Sequence, residues 1–255
     1  MGVSEQTRIQ GVVTMRRDLT ADLWIVTVRP GERIGYRAGQ YVTVGLPLGT
    51  KTVERPYSVA SSPEEAELEF FIERVPDGAL TPHLYEIPVR GEILLRRVAK
   101  GRFIFDDSSG HKNHFMVATV TGVAPFVSMV RQMVANARRG EPIRHSIVVL
   151  QSASLSLELG YCEELADYAR QYPWFHYVPS ISRLWLDPGW TGEKGRAEDV
   201  ARKHLDAFGF TPADTTAYMC GNPNMIDNVK QLLRRVGFPK ESCKEEIYWV
   251  EQKAG

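Results

Sequence analysis

The placement of strand-forming residues changes character once along this chain, at the polar, turn-rich stretch Asp106-Asp107-Ser108-Ser109-Gly110-His111-Lys112-Asn113. That change constrains the fold more than any other feature. Before it, runs rich in β-branched and aromatic residues follow one another with only turns between them: Ile9–Met15, Leu23–Val28, Gln40–Val44, Val53–Ala60, Leu68–Glu73 and Glu92–Arg96. Strands this closely spaced, without helices, predict a β-barrel, closed or nearly so. After it, strands expected at His114–Thr119, Ser146–Leu150, Phe175–Val178 and Thr216–Cys220 alternate with helical patterns at Pro125–Arg138, Glu158–Tyr172, Ala197–Phe208 and Pro223–Val236. Alternation of this kind predicts a parallel sheet with helices on both faces. Two domains are therefore expected, residues 1–106 and 107–255.

The bulk numbers exclude several function classes. With 31 basic and 31 acidic residues the net charge is zero, so no global field draws the chain to nucleic acid or to a membrane surface, and a charged partner must be met by a local patch. No apolar run reaches the roughly 18 residues of a membrane span. The N-terminus has neither the basic region nor the apolar stretch of a signal peptide. Cys162, Cys220 and Cys243 are far apart and odd in number, so they form no disulfide framework or four-thiolate cluster. His83, His111, His114, His145, His176 and His204 lack metal-ligand spacing. The expectation is a cytoplasmic protein without a metal.

Arg55-Pro56-Tyr57-Ser58 is an odd composition for a structural strand. Arg55 offers a fork of donors suited to phosphate, Tyr57 a rigid face for a planar ring, and Ser58 a small donor beside it. A cofactor with a flat redox ring and a phosphate would use all three; the alternative is an edge strand with one exposed Arg and a half-buried Tyr. Some twenty residues on, Gly78-Ala79-Leu80-Thr81 opens a short helical pattern, whose amides and Thr81 hydroxyl suit a pyrophosphate, although an ordinary capped turn would read the same way. Ala118 to Phe126 falls at a strand-to-helix junction, the expected place of a phosphate loop, with Pro125 well placed at the helix start.

These pieces together resemble the ferredoxin–NADP reductase family, from about Arg8 to the C-terminal tail. The Arg-x-Tyr-Ser tetrad is similar to the family's flavin signature, Gly78, Leu80 and Thr81 to its pyrophosphate segment, and Val120-Thr121-Gly122-Val123-Ala124-Pro125 to its Gly-Thr-Gly-x-x-Pro loop. Val120 departs from that pattern, standing where the first glycine belongs; either this turn has φ below zero or the nucleotide sits differently. Tyr218-Met219-Cys220-Gly221-Asn222-Pro223-Asn224-Met225 resembles the family's Cys-Gly-x-Pro-x-Met motif.

The resemblance implies an FAD-binding antiparallel β-barrel followed by a Rossmann-like nucleotide domain. It implies FAD held by Arg55, Pro56, Tyr57, Ser58, Gly78, Leu80 and Thr81, and NADP(H) held by Thr121 and Gly122, with Cys220 beside the nicotinamide. Tyr248 would cover the flavin face opposite Tyr57, and Trp249 would lie by the adenine. Ser154 stands where several bacterial members have an arginine for the 2′-phosphate; Arg183, Lys194 and Arg196 match segments that supply further cations, so NADPH and NADH both remain open. The expected partner is a small acidic carrier, ferredoxin or flavodoxin, meeting Arg90, Arg96, Arg97, Lys100 and Arg102, or else Arg16 and Arg17. The alternatives are an NADH-preferring reductase component of an oxygenase and a flavin- or nucleotide-binding module without turnover.

Overall fold

The computed structural model describes residues 7–248. The chain divides into two compact units: one holds the described residues up to Phe105 together with Ala124–Ala135, and the other runs from Asp106 to Val123 and onward from Asn136.

In the first unit, β1 (Arg8–Asp18), β2 (Leu23–Pro30), β3 (Tyr41–Leu48), β4 (Lys51–Ser58), β5 (Leu68–Glu73) and β6 (Glu92–Arg96) form one antiparallel sheet in the order β4-β3-β6-β1-β2-β5. The sheet curls, and past the end of β4 the Ala60 amide donates to the Glu69 carbonyl of β5 at 2.8 Å. Alternation sets the inner face: along β1, Ile9 and Val13 turn inward, onto a core containing Trp24, Val28, Val42, Val44, Phe70 and Leu95. Burial of such side chains stabilises by about 1.5–3 kcal/mol each. Helix α1 (Thr81–Tyr85) adds Leu84 to this core. Arg16, a candidate docking cation from the sequence, is committed here instead. Its guanidinium lies 4.3 Å from the Tyr85 ring centroid and 5.6 Å from that of Trp24.

The first twelve residues of α2 (Ala124–Arg138) group with this unit, although the sequence assigns the helix to the nucleotide domain. Ser128 Oγ donates to the Ser61 carbonyl at 2.6 Å, and Arg131 pairs with Glu69 at 2.9 Å.

The second unit is a parallel sheet in the order β10-β9-β8-β7-β11-β12, from β7 (Asn113–Thr119), β8 (Ser146–Ala153), β9 (Phe175–Ile181), β10 (Glu193–Lys194), β11 (Thr215–Gly221) and β12 (Cys243–Ile247). Its central strands are near-continuous buried runs, as strands covered on both faces must be. One face, with Phe115, Val148 and Met219, packs on α4 (Ala197–Ala207) and α5 (Pro223–Arg235). The chain reverses direction across the sheet between β7 and β11, the position at which open α/β sheets bind ligands. Helix α3 (Cys162–Gln171) starts four residues later than the periodicity suggests, because Ser156–Glu158 forms a separate 3-10 turn. Among the described residues no helix is long and apolar enough to cross a membrane, and no group of three His, Cys, Asp or Glu could hold a metal.

Candidate cofactor-binding sites

Strand β4 lies at an edge of its sheet and pairs only with β3, with Arg55 opposite Val44, Tyr57 opposite Val42 and Ser58 opposite Tyr41. Pro56 is tolerated there because an edge strand has a side that needs no donor. Strand alternation puts Arg55 and Tyr57 on one face. Arg55 is exposed, its Nη1 donating to the Glu54 carbonyl at 2.8 Å. Tyr57 packs against the core and meets Phe70 edge-on, with centroids 6.4 Å apart. Burial pushes the Tyr57 phenol well above its ordinary value, against the opposing charge of Arg55, so the ring stays neutral. Ser58 is buried. The sequence predicts a strand to Ala60; the ladder ends at Ser58, and Val59 and Ala60 continue as fully buried, non-strand residues.

At α1 the structure gives the matched residues local roles. Leu80 is buried in the core, Gly78 N donates to Val75 O at 2.9 Å, and the Thr81 hydroxyl accepts from Val75 N at 2.9 Å. Of the cations expected to face a carrier, Arg96 pairs with Glu54 at 2.6 Å and Arg97 with Glu32. Arg90, Lys100 and Arg102 are exposed.

In the second unit β7 runs into a 3-10 turn, Val120–Val123. Of the two alternatives left open at Val120, a φ below zero is ruled out: its φ is +43°. A β-branched residue in that region is strained by about 1–3 kcal/mol, and such strain persists only where surroundings over-determine it. The restraint is visible. Gln151, wholly buried on β8, donates from Nε2 to the Val120 carbonyl at 3.3 Å, and Tyr177 Oη donates to Gln151 Oε1 at 2.7 Å. The Val120 side chain packs with Ala153, Leu159 and Ile181.

Beside this turn, β11 pairs with β7 so that Cys220 stands opposite Ala118. Two glycines permit the contact. A Cβ on Gly122 would fall 2.3 Å from the Cys220 carbonyl oxygen, and Gly221, at φ +121°, would place one 2.4 Å from Thr119 Oγ1. Thr119 Oγ1 accepts from Asn222 N at 2.9 Å, and the Asn222 side chain caps α5 by accepting from Asn224 N and Met225 N. The result is a strand end, a helix start and a turn held within one small region, with backbone rather than side chains at the point of closest approach.

Cys220 is fully buried, and burial followed by the charge of Glu246 pushes its thiol well up, against a hydrogen bond from Tyr248. Cys220 is therefore a neutral thiol and not a nucleophile. Tyr248, partly exposed, is thereby brought to Cys220, and its amide donates to the Gly221 carbonyl at 3.5 Å. Trp249 lies outside the described residues. Thr121 is half-buried in the turn. At the ends of β8 and β9, Arg183 N donates to Ser154 O at 3.0 Å, so the exposed Arg183 starts beside the position that lacks an arginine. Lys194, at the end of β10, and Arg196, just before α4, are exposed.

The sequence gives no hint of one further group. His114, fully buried, meets Tyr218 Oη at 3.2 Å through Nδ1 and His145 Nδ1 at 3.1 Å through Nε2. Tyr218 Oη also accepts from Asp106 N at 3.1 Å. Burial, then the neighbouring His145, lowers the His114 pKa from 6.5 to about 3. These partners lie 31 and 104 residues apart, so no local motif could have revealed them.

Comparison with known proteins agrees with this arrangement. The oxidoreductase FAD-binding domain family matches residues 11–105, and the oxidoreductase NAD-binding domain family matches 116–231. A ferredoxin–NADP reductase A of Sorangium cellulosum is 31% identical over 226 residues, covering 85% of this chain and 79% of that protein. The reductase component of a phenol 2-monooxygenase from a Pseudomonas species is 30% identical over 249 residues, covering 96% of this chain and 67% of that one. A ferredoxin NADP+ reductase from Neisseria gonorrhoeae, solved with FAD and NADP, shares the fold at a TM-score of 0.83 and 22% identity, covering 95% and 99% of the two chains. With a curled antiparallel unit, a parallel α/β unit and both family matches in sequence order, the chain belongs to the ferredoxin–NADP reductase family of FAD-dependent, NAD(P)-binding oxidoreductases.

Proposed function

We propose that the chain exchanges electrons between NADP(H) and a small one-electron carrier protein, a ferredoxin or flavodoxin, through bound FAD. The observation that carries this reading is the packing of the Val120–Val123 turn on the Cys220-Gly221 strand end, where the strand order reverses and a dinucleotide is expected. Bound FAD supplies the conversion between hydride transfer and single-electron transfer. The residues present fit it: an open edge strand offers Arg55 to a phosphate and a neutral Tyr57 to a flat ring. In this reading Pro56 fixes the strand between them, and Ser58 donates near the reacting edge of the ring. Gly78 and the backbone of Leu80 and Thr81 serve the pyrophosphate, the Thr81 hydroxyl shaping that loop through Val75.

Thr121 and Gly122 receive the nucleotide phosphates, Arg183, Lys194 and Arg196 the adenosine end, and Cys220 orients the nicotinamide as a neutral thiol. Tyr248 is assigned to the flavin face opposite Tyr57 and Trp249 to the adenine. Residues 1–106 would then be the flavin domain and 107–255 the nucleotide domain. The three cysteines, all free thiols, accord with a cytoplasmic location, which cell fractionation would check.

Anaerobic titration of the flavin absorbance with NADPH and, in parallel, NADH tests the reading. Bleaching by NADPH faster than by NADH is expected; bleaching by neither sinks it. A second reading, an NADH-preferring reductase component of an oxygenase, is favoured by the phenol 2-monooxygenase relative and by Ser154. Faster bleaching by NADH would select it.

A further inference from the structure

Gln151 sits on β8 opposite Ala118 of β7 and is wholly buried. Both ends of its amide are committed: Nε2 donates to the Val120 carbonyl at 3.3 Å, and Oε1 accepts from Tyr177 Oη at 2.7 Å. Reversing the amide would set its oxygen against the Val120 carbonyl oxygen, so only one orientation satisfies both contacts. Burial first, then the neighbouring Cys162, pushes the Tyr177 phenol well up, so its hydroxyl keeps the proton that it donates. Cys162, at the start of α3, is hydrogen-bonded to Tyr177 in turn. Helix, two strands and turn are thus joined through side chains, and the Val120 isopropyl group seats with Ala153, Leu159 and Ile181. A buried amide costs free energy unless it is bonded. Here its donor is spent on the residue of the turn whose φ is disfavoured.

Resting on the nucleotide reading above, we infer that Gln151 is a positioning residue for the dinucleotide: held by Tyr177, it keeps Val120 at its positive φ and sets the Thr121-Gly122 backbone in the form that receives the pyrophosphate. A glycine reaches such a conformation unaided but leaves it as freely. Valine with a side-chain brace is strained, yet the turn is ordered before the ligand arrives, which removes an ordering cost from binding. In this role Gln151 touches no reacting atom, and its effect falls on the half of the cofactor that NAD and NADP share.

The test compares two backgrounds. Gln151→Leu roughly keeps the volume and removes both bonds. Calorimetric titration of the FAD-loaded protein with NADP+ and with NAD+ is expected to show affinity for each lowered about tenfold, the scale of one lost buried hydrogen bond. With Val120→Gly already in place, the same substitution should cost less than about threefold, because glycine needs no brace. Tyr177→Phe should act in the same way by less, and carries the test should Gln151→Leu not fold. Amide exchange at Thr121 and Gly122, read without nucleotide, should quicken in either variant. An equal loss in both backgrounds would mark Gln151 as merely structural. That result would overturn the inference while leaving the reductase reading intact, as would an unchanged affinity in folded variants, or a loss confined to one of two dinucleotides that the unaltered protein binds. If the unaltered protein binds neither dinucleotide and its flavin is bleached by neither NADH nor NADPH, both fall together.

Discussion

Val120 holds a backbone conformation that its own side chain disfavours, and its energetics can be separated. Relief of the positive φ by Val120→Gly gains about 1–3 kcal/mol. Loss of the half-buried isopropyl group costs about 1 kcal/mol, and the freer unfolded chain about 0.5–1 kcal/mol more. The substitution is therefore expected to be near neutral in a urea melt, within about 1 kcal/mol, where the same change on an ordinary strand residue costs clearly more. A large loss would mean that the strain is not there. Gly122→Ala is the opposite case. Its Cβ would lie 2.3 Å from a backbone oxygen that cannot swing aside, so destabilisation of about 2–3 kcal/mol is expected. Titration of NADP+ binding should show a weakened complex as well, since the turn must shift to admit the methyl group.

Among the elements, β7 and β11 carry the acid sensitivity of the second unit. His114 titrates near 6.5 when unfolded and at about 3 in the fold. Between those values the unfolded chain binds the extra proton, so stability is fully present above about pH 6.5 and falls as the pH is lowered towards about 3. The slope approaches 1.4 kcal/mol per pH unit. Denaturant midpoints taken from pH 7 to about pH 4.5 should fall less steeply in His114→Gln; parallel curves would rule His114 out as the group responsible. Asp106 and Glu193, lowered to about 2 despite partial burial by partners including Ser108 with Lys244, and Lys203 with His204 respectively, act in a lower window. Elements of this kind also mark the limit of what a sequence discloses. The six strands of the first unit and the four long helices of the chain were legible because their apolar periodicity is local. Strand β10, two residues long, has no room for a pattern. The start of α3 was misplaced because Glu158 folds back onto Ser154 and Leu155 instead of entering the helix. The φ of Val120 follows from Gln151 and Tyr177, 31 and 57 positions away, and the His114 contacts from strand order.

For the molecule as a whole, the two cofactors should leave separate footprints. Hydrogen exchange on adding FAD is expected to slow in β3, β4 and the 75–85 segment, whereas adding NADP+ to the FAD-loaded protein should slow 118–123 and 220–222. Bound ligand at a hundredfold excess over its Kd stabilises by about 2.7 kcal/mol, ample to register where local opening limits exchange. FAD protection confined to the parallel sheet would show the assignment of cofactors to be wrong. The partition into candidate sites was readable in the sequence because Arg55-Pro56-Tyr57-Ser58 and Cys220-Gly221-Asn222-Pro223 are contiguous, whereas the Asp187 carboxylate reaches Ser156, 31 positions away, only once β8 and β9 are side by side. Pro56 has a last consequence, for solubility. An edge strand is a row of open donors and acceptors, able to template a strand from another copy of the chain. Pro56 removes one donor from that row, and the exposed Arg55 beside it adds charge, so the segment proposed to meet the cofactor also discourages self-association. Pro56→Thr should restore the donor, and sedimentation of the apoprotein would then show a larger share of oligomer than the unaltered chain does.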